Sequence, residues 1–284
     1  QGVPTLVAAT LCARGMTDLA EAKGLLSSGE DQLQDPFLMK DMDLATARIG
    51  RALRNGEKIA VYGDYDVDGI TSACLVTSFL RAKGLDCEPY IPDRMEEGYG
   101  LNLAAMDTIK ARGASLIVTV DCGITAAQEA GYAASLGMDM VITDHHECGA
   151  CPLPAAVAVV DPKRPGSRYP NADLAGVGVA FKLLCAVEGG AERVLSQYAD
   201  LIATGTIADV MPLTGENRYI VRRGLAMLAE SPRPGIRALL EESGALGRRI
   251  SASTMGFTLA PRLNAAGRLG RADVAVRLLL TRDE

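Results

Sequence analysis

The chain has 284 residues, nearly half of them hydrophobic, with 30 glycines, few aromatics and a formal net charge of −6. That length suits one large domain or two modest ones with real cores. The acidic balance argues against a generally basic, nucleic-acid-coating surface, though a local basic groove and a cation-binding carboxylate cluster both fit it. No apolar run approaches the roughly 20 residues of a membrane span, and the start does not resemble a signal peptide.

The first 35 residues read as a helical preamble, with Thr17 or Asp18 of "GMTDLAEAKGLL" placed to cap a helix. "LATARIGRALRNGE" is an amphipathic helix closed by Asn55-Gly56. A rhythm then begins. "KIAVYG" (58–63) is a short apolar strand, "ITSACLVTSFLRAKG" a helix, "CEPYIP" a second strand, "NLAAMDTIKARG" a helix, and "SLIVTV" (115–120) a third strand. "TAAQEAGYAASLG" is helical, "DMVIT" (139–143) a strand again, and "AAVAVVDP" ends the sheet. Continuous apolar strands alternating with helices of 10–15 residues indicate a parallel sheet buried on both faces. After about residue 170 only helices follow, with "PRPG" (232–235) as the best candidate for a break between subdomains. The expected class is therefore α/β: a mainly parallel sheet with helices on both faces, followed by a helical segment. The expected divisions are an N-terminal helical segment (1–50), the α/β domain (51–231) and a helical linking segment (232–284).

The strand ends carry the chemistry, because ligands of open parallel sheets bind at the carboxyl ends of the strands. "KIAVYG" runs into Asp64, Asp66 and Asp68. "SLIVTV" ends at Asp121. "DMVIT" ends at Asp144, His145 and His146, and these two imidazoles are all the histidine the chain has. A solvated turn accounts for any one of these ends, but poorly for three at one sheet edge. Converging carboxylates repel one another unless cations neutralise them. Oxygen ligands with imidazole suit Mg²⁺ or Mn²⁺, with Mn²⁺ the better match to histidine. Asp121 is placed to bridge two ions roughly 3.5–4 Å apart, the arrangement that serves phosphoryl displacement.

"VYGDYDVDGITS", "VTVDCGI", "VITDHHE" and "GTIADVMPL", in this order and spacing, resemble the four motifs of the DHH phosphoesterase superfamily. "LQDPFLMKDMDLATARI", "YPNADLAGVGVAFKLL", "LTGENRYIVRRGL" and "APRLNAAGRLGRADVAVRLL" are similar to segments of its RecJ branch, the single-strand-specific 5′→3′ DNA exonucleases. The resemblance covers essentially the whole chain. It implies metal ligation by Asp66, Asp68, Asp121, His145 and Asp209; without it, Asp209 reads only as an aspartate at the edge of a helix. It places His146 towards the scissile phosphate. Asp64 and Asp144 join the catalytic set as further ligands or as groups that fix imidazole geometry. One departure stands in the first motif, where Tyr62 occupies the position of a histidine that many superfamily members use to bind one metal.

Around "NAAGRLGR", Asn264, Arg268 and Arg271 sit among glycines, as in a basic loop or a phosphate clamp. The resemblance favours the clamp, with Arg268 and, from "PDRMEEGYG", Arg94 holding a 5′-phosphate end. Tyr99 of that loop is an aromatic of the kind that stacks on a base, and a plain surface loop is an equal reading for Arg94 and Tyr99. Two other signals are set aside. Cys148 and Cys151 form a C-x-x-C that superficially spells zinc, but no second ligand pair exists. "GVGVAF" (176–181) reads as close helix packing rather than a dinucleotide site. The seven cysteines, mostly in apolar patterns, fit reduced buried thiols of a cytoplasmic protein.

The resemblance implies a phosphodiesterase with two divalent ions, Mn²⁺ or Mg²⁺, that hydrolyses single-stranded DNA from the 5′ end in repair and recombination. It implies a monomer, with no membrane, and with a helicase and a single-strand-binding protein as candidate partners. Two rivals are carried: a superfamily phosphodiesterase for short oligonucleotides or cyclic dinucleotides, and a catalytically inactive replication scaffold. The chain begins at Gln1 rather than Met and stops soon after "NAAGR", before the DHHA1-type and OB-like domains that the resemblance implies. The expectation is a fragment with the catalytic centre and an incomplete DNA cleft.

Overall fold

Five short runs of aliphatic residues form one parallel sheet: β1 (Ile59–Gly63), β2 (Cys87–Tyr90), β3 (Leu116–Val120), β4 (Asp139–Thr143) and β5 (Ala158–Val160). Their order is β2-β1-β3-β4-β5. The computed structural model describes residues 3–26, 29–94, 97–98, 100–149 and 152–283. Thirteen α-helices surround the sheet among those residues. They are α1 (Thr5–Ala13), α2 (Leu19–Leu26), α3 (Met42–Asn55), α4 (Val67–Ala82), α5 (Leu103–Ala111), α6 (Ala127–Ser135) and α7 (Gly176–Glu188), then α8 (Glu192–Ala208), α9 (Gly215–Leu228), α10 (Pro234–Glu242), α11 (Ala252–Thr254), α12 (Ala260–Arg268) and α13 (Ala272–Leu280). The expected class is what the chain adopts.

Alternation along each strand divides the core. Ile59, Val61, Leu116, Val118, Val141 and Val160 face a large cluster with α3, α4 and α7, onto which α8, α9 and the last helices are layered. Ala60, Tyr62, Ile117, Met140 and Ile142 face a smaller cluster with α5 and α6. Both faces are covered, which is why the strands read as unbroken apolar runs. Each expected strand and helix of the sheet region is present. α3 ends at Gly56 in the left-handed conformation, as the Asn-Gly pair predicts.

The chain leaves β1 for β2 on one side and returns to β3 on the other, so a crevice opens at the carboxyl ends of β1 and β3. The register sets its depth. Gly63 pairs with Val120, Val120 with Thr143, and Thr143 with Val160. The next residues, Asp64, Asp121, Asp144 and Asp161, therefore leave the sheet at one level.

At "PRPG", Arg233 donates to Asp200 at 2.9 Å, and a Cβ on Gly235 would collide with the Leu278 carbonyl. One later segment differs from the sequence reading. "NAAGR" is not a loop. Asn264, Gly267 and Arg268 lie within α12, which continues α11 through a π-helical segment, Met255–Leu259.

Candidate metal centre

Asp66 begins the site by capping α4, its Oδ1 accepting from Gly69 N at 3.0 Å. The tight turn from β1 into this helix requires Gly69, because a Cβ there would stand 2.4 Å from the Asp64 carbonyl. In the first turn of α4, buried Asp68 faces the start of α7 and accepts from Gly176 N at 2.6 Å and Val177 N at 2.9 Å. The amino end of a helix favours a carboxylate in that place. Asp121 has φ 59°, the left-handed region, and a Cβ on Gly176 would come within 2.5 Å of its own Cβ. The glycine of "GVGVAF" is thus needed for close approach to Asp121. Gly205 of "GTIAD" serves the same end, since a Cβ there would meet Thr71 Oγ1 at 2.4 Å and Asp68 Oδ1 at 2.7 Å.

His145 is buried at the centre. Its Nε2 lies 3.1 Å from Asp121 Oδ1, 3.6 Å from Asp209 Oδ2 and 4.0 Å from Asp68 Oδ2. His146, half-exposed, is held differently. Its Nδ1 is 2.7 Å from Asp144 Oδ1, which also accepts from the backbone N–H groups of His145 and His146. The other Asp144 oxygen accepts from Ile124 N at 2.9 Å. Asp144 is fully engaged inside the protein, so its geometry orients His146 and leaves no free oxygen towards the cluster.

Asp209 is the residue that ends α8. It is followed by Val210 at φ 59°, a conformation that a β-branched residue adopts only under constraint. Asn217 Nδ2 donates to the Asp173 carbonyl at 2.6 Å and the Pro212 carbonyl at 3.1 Å, which ties down the chain just after Asp209.

Three overlapping groups offer ligand atoms within 4.8 Å of one another: Asp64, Asp66 and Asp121; Asp121, His145 and His146; Asp68, His145 and Asp209. Three buried carboxylate oxygens, Asp64 Oδ1, Asp121 Oδ1 and Asp209 Oδ2, have no hydrogen-bond donor among the described residues. Burial, then Asp66, pushes Asp64 up to about 7 and Asp209 up to about 6. Burial also raises Asp68, with Asp209 adding to it, and Asp121, with Asp68 adding to it. Burial and His146 hold His145 down at about 4, a neutral ligand at ordinary pH. Burial works against ionised Asp144, but its bonds to His146 and the backbone outweigh that and lower it; His146 is raised in return. Oxygen donors with neutral imidazole, orphaned oxygens and unrelieved carboxylate repulsion together fit a pair of hard divalent cations.

Tyr62 does not reach this cluster. Its ring stacks on Tyr90 beneath the sheet and its hydroxyl donates to the Gly100 carbonyl at 2.8 Å. The group nearest β1 is accordingly all carboxylate. Arg94, Asn264 and Arg268 line one cleft of about 320 Å³ with Asp64, Tyr65 and Asp66. Asn264 Oδ1 accepts from Val67 N at 3.2 Å, Gly267 packs on the Tyr65 backbone, and the Arg94 guanidinium lies over the Tyr65 ring. Tyr99 and Cys151 lie outside the described residues; Cys148 is half-buried, with a free thiol.

Asp161 was not singled out by sequence. It is buried, its Oδ2 has no donor among the described residues, and burial pushes it up to about 7. The signal was available, since "AVAVVDP" ends in aspartate as the other strands do.

Residues 58–206 match the N-terminal domain of the DHH family. The single-stranded-DNA-specific exonuclease RecJ of Bacillus subtilis is 47% identical over 281 residues, covering 99% of this chain and 35% of that protein. RecJ of Escherichia coli is 41% identical, over 85% of this chain and 44% of its own length. The chain thus spans less than half the length of these relatives. A crystal structure of exonuclease RecJ bound to manganese superposes with a TM-score of 0.78 at 41% identity, over 89% of this chain and 63% of that one. RecJ from Thermus thermophilus in complex with Mn²⁺ gives 0.77 at 36% identity, over 98% and 39%.

Proposed function

The chain belongs to the DHH family, and on that premise we propose that it carries the catalytic centre of a divalent-metal phosphodiesterase that removes nucleotides from the 5′ end of single-stranded DNA. The observation that carries this reading is Asp121, which stands in two ligand groups at once and can serve two cations together. Asp64, Asp66 and Asp121 would hold one ion; Asp68, Asp121, His145 and Asp209 would hold the other. When bound, Mn²⁺ or Mg²⁺ supplies the charge that lowers the pKa of a water and offsets the negative charge of a phosphate under in-line attack.

The chain's own residues do the rest. His146 faces outward beside the cluster, and Asp144 keeps its Nδ1 engaged so that Nε2 is turned to the substrate. The bond to Asp144 raises His146 above the ordinary imidazole value and so favours its protonated form, suited to stabilising a phosphate oxygen or giving a proton to a leaving group. Arg94, Asn264 and Arg268, beside Asp64 and Asp66, would grip the terminal 5′-phosphate. A helicase and a single-strand-binding protein are the partners that would present such a strand, and the free thiols fit a cytoplasmic setting.

The test is nucleotide release from 5′-phosphorylated single strands and from duplex, with Mn²⁺, Mg²⁺ or EDTA. Release from single strands that requires metal is expected. Release that survives EDTA, or no release with either ion, overturns the reading.

A further inference from the structure

A groove of about 750 Å³ opens between α9 and the segment leading into α11. Arg218 and Arg222, one turn apart on α9, stand on one side and Arg249 on the other, over a floor that includes Val221, Leu225 and Ile250. Among the described residues, no acidic one lines it. The chain has more carboxylates than cations, and some of its arginines outside the groove use them: Arg193 pairs with Glu188, Arg223 with Glu192 and Arg233 with Asp200. Among the described residues, Arg218, Arg222 and Arg249 make no ion pair and no side-chain hydrogen bond. Three exposed, unpaired guanidinium groups facing one space call for an anionic occupant with several charges.

The groove's place in the fold says which anion. Leu213, in its wall, is four residues from Asp209, no more than about 14 Å of backbone from the metal centre. The helical rod of α11, the π segment and α12 begins at the groove with Ala252. It passes close to Ile207 at Gly256 and ends in the Arg94–Arg268 cleft, about 24 Å from its start. The two basic sites thus flank the carboxylates, one beside Asp64 and Asp66, the other beyond Asp209.

We infer that the groove holds the single strand on the 3′ side of the cleaved bond, by its phosphates, while the α12 cleft holds the 5′ end. The inference rests on the exonuclease reading. Arginines would take successive phosphates, and the apolar floor would receive sugars and base edges without regard to sequence.

The test is binding in EDTA of 5′-phosphorylated oligonucleotides of about four and about twenty nucleotides, lengths on either side of a single groove's capacity. Arg218→Ala/Arg222→Ala should weaken the long strand roughly tenfold and flatten its salt dependence by about 1.4, near 0.7 for each lost phosphate contact. The short strand should bind within about twofold of wild type. Arg193→Ala, an exposed but paired arginine elsewhere, should change neither. Long-strand affinity and salt slope that do not move in the double variant overturn the inference. So does an acidic peptide that binds the wild type but not the double variant while the long strand is unaffected, which would give the groove to a protein partner. A wild type that cleaves single strands normally while the variant keeps its long-strand affinity refutes the groove alone. A wild type that neither binds nor cuts them refutes both readings.

Discussion

The sheet edge and the two arginine-bearing clefts treat charge in opposite ways. At the edge, four strand-end aspartates are buried, and Asp68 and Asp144 are fixed by backbone N–H groups. In the clefts, Arg94, Arg268, Arg218 and Arg222 are exposed, on helices or turns. Buried like charges are costly and rigid, so the ionised carboxylates of the edge call for a counter-ion in a fixed place. Exposed arginines cost little and reach, so the clefts suit a flexible polyanion. Substitutions of the carboxylates that face the cluster should therefore act nearly all-or-none, and those in the clefts should grade affinity and selectivity.

The sharpest test of that contrast is Asp121→Asn. Removing the shared carboxylate should lower cleavage by roughly 10³-fold, the scale of the several kcal/mol that metal ions contribute. Folding should survive, because the substitution relieves repulsion from Asp68 and Asp66. Single-turnover rates at saturating Mn²⁺, with thermal unfolding in EDTA, check both halves. Near wild-type turnover would rule out the bridging role proposed for Asp121.

The second prediction concerns the metal-free protein. Asp64 and Asp209, at about 7 and about 6, lie above their unfolded values. Such groups stabilise the fold while protonated. Their contribution is complete below about pH 4 and is lost as pH rises through the folded values. His145 works the other way, gaining stability as pH rises from about 4, but Asp68 and Asp121 are raised as well and the carboxylates outnumber it. In EDTA the melting temperature should fall between about pH 5 and pH 7.5. Mn²⁺ should restore more at the higher pH, by roughly 2.7 kcal/mol at a hundredfold excess over Kd. An equal metal shift at both pH values would show that the carboxylates are not what the cations relieve.

Asp144→Asn should be milder, about 10- to 100-fold in rate, as for a group that orients a functional imidazole. Its shape can keep the Ile124 contact, but the charge that raises His146 is gone. The alkaline limb of the pH–rate profile should move to lower pH. A limb that stays in place would show that His146 does not set it.

These expectations track what could be read from the chain. Asp64, Asp121 and Asp144 were legible because each ends an apolar run, and parallel register brings such ends to one level. Asp161 obeys the same rule and was passed over because β5 is only three residues long and its run blends into a proline turn. Asp209 came from family likeness alone: it closes a helix, and helical periodicity says nothing about which strand edge a helix end will meet. The direction of Tyr62 follows from strand alternation, which turns it away from the face that carries Val61. The arginine groove was not legible. Arg218 and Arg222 look like any solvated helix face until Arg249, far along the chain, is seen opposite them.

The smallest effect should come from the α12 cleft. Arg268 is exposed, so its loss leaves no buried charge unpaired and should not unfold the chain. A charge-assisted bond to phosphate is worth about 1.5–3 kcal/mol, and exposure places Arg268 near the lower end, roughly tenfold. That loss should fall on one substrate. A 5′-phosphorylated end presents the extra charge that Arg268, Arg94 and Asn264 would grip beside Asp64; a 5′-hydroxyl end does not. Arg268→Ala should therefore bring the two rates together by slowing the phosphorylated strand, with the hydroxyl strand nearly unchanged. Both must be measured at one salt concentration, because backbone contacts weaken uniformly as salt rises. Equal slowing on both ends would make Arg268 a general backbone contact, and the division of labour between the α12 cleft and the α9 groove would collapse into one continuous basic track.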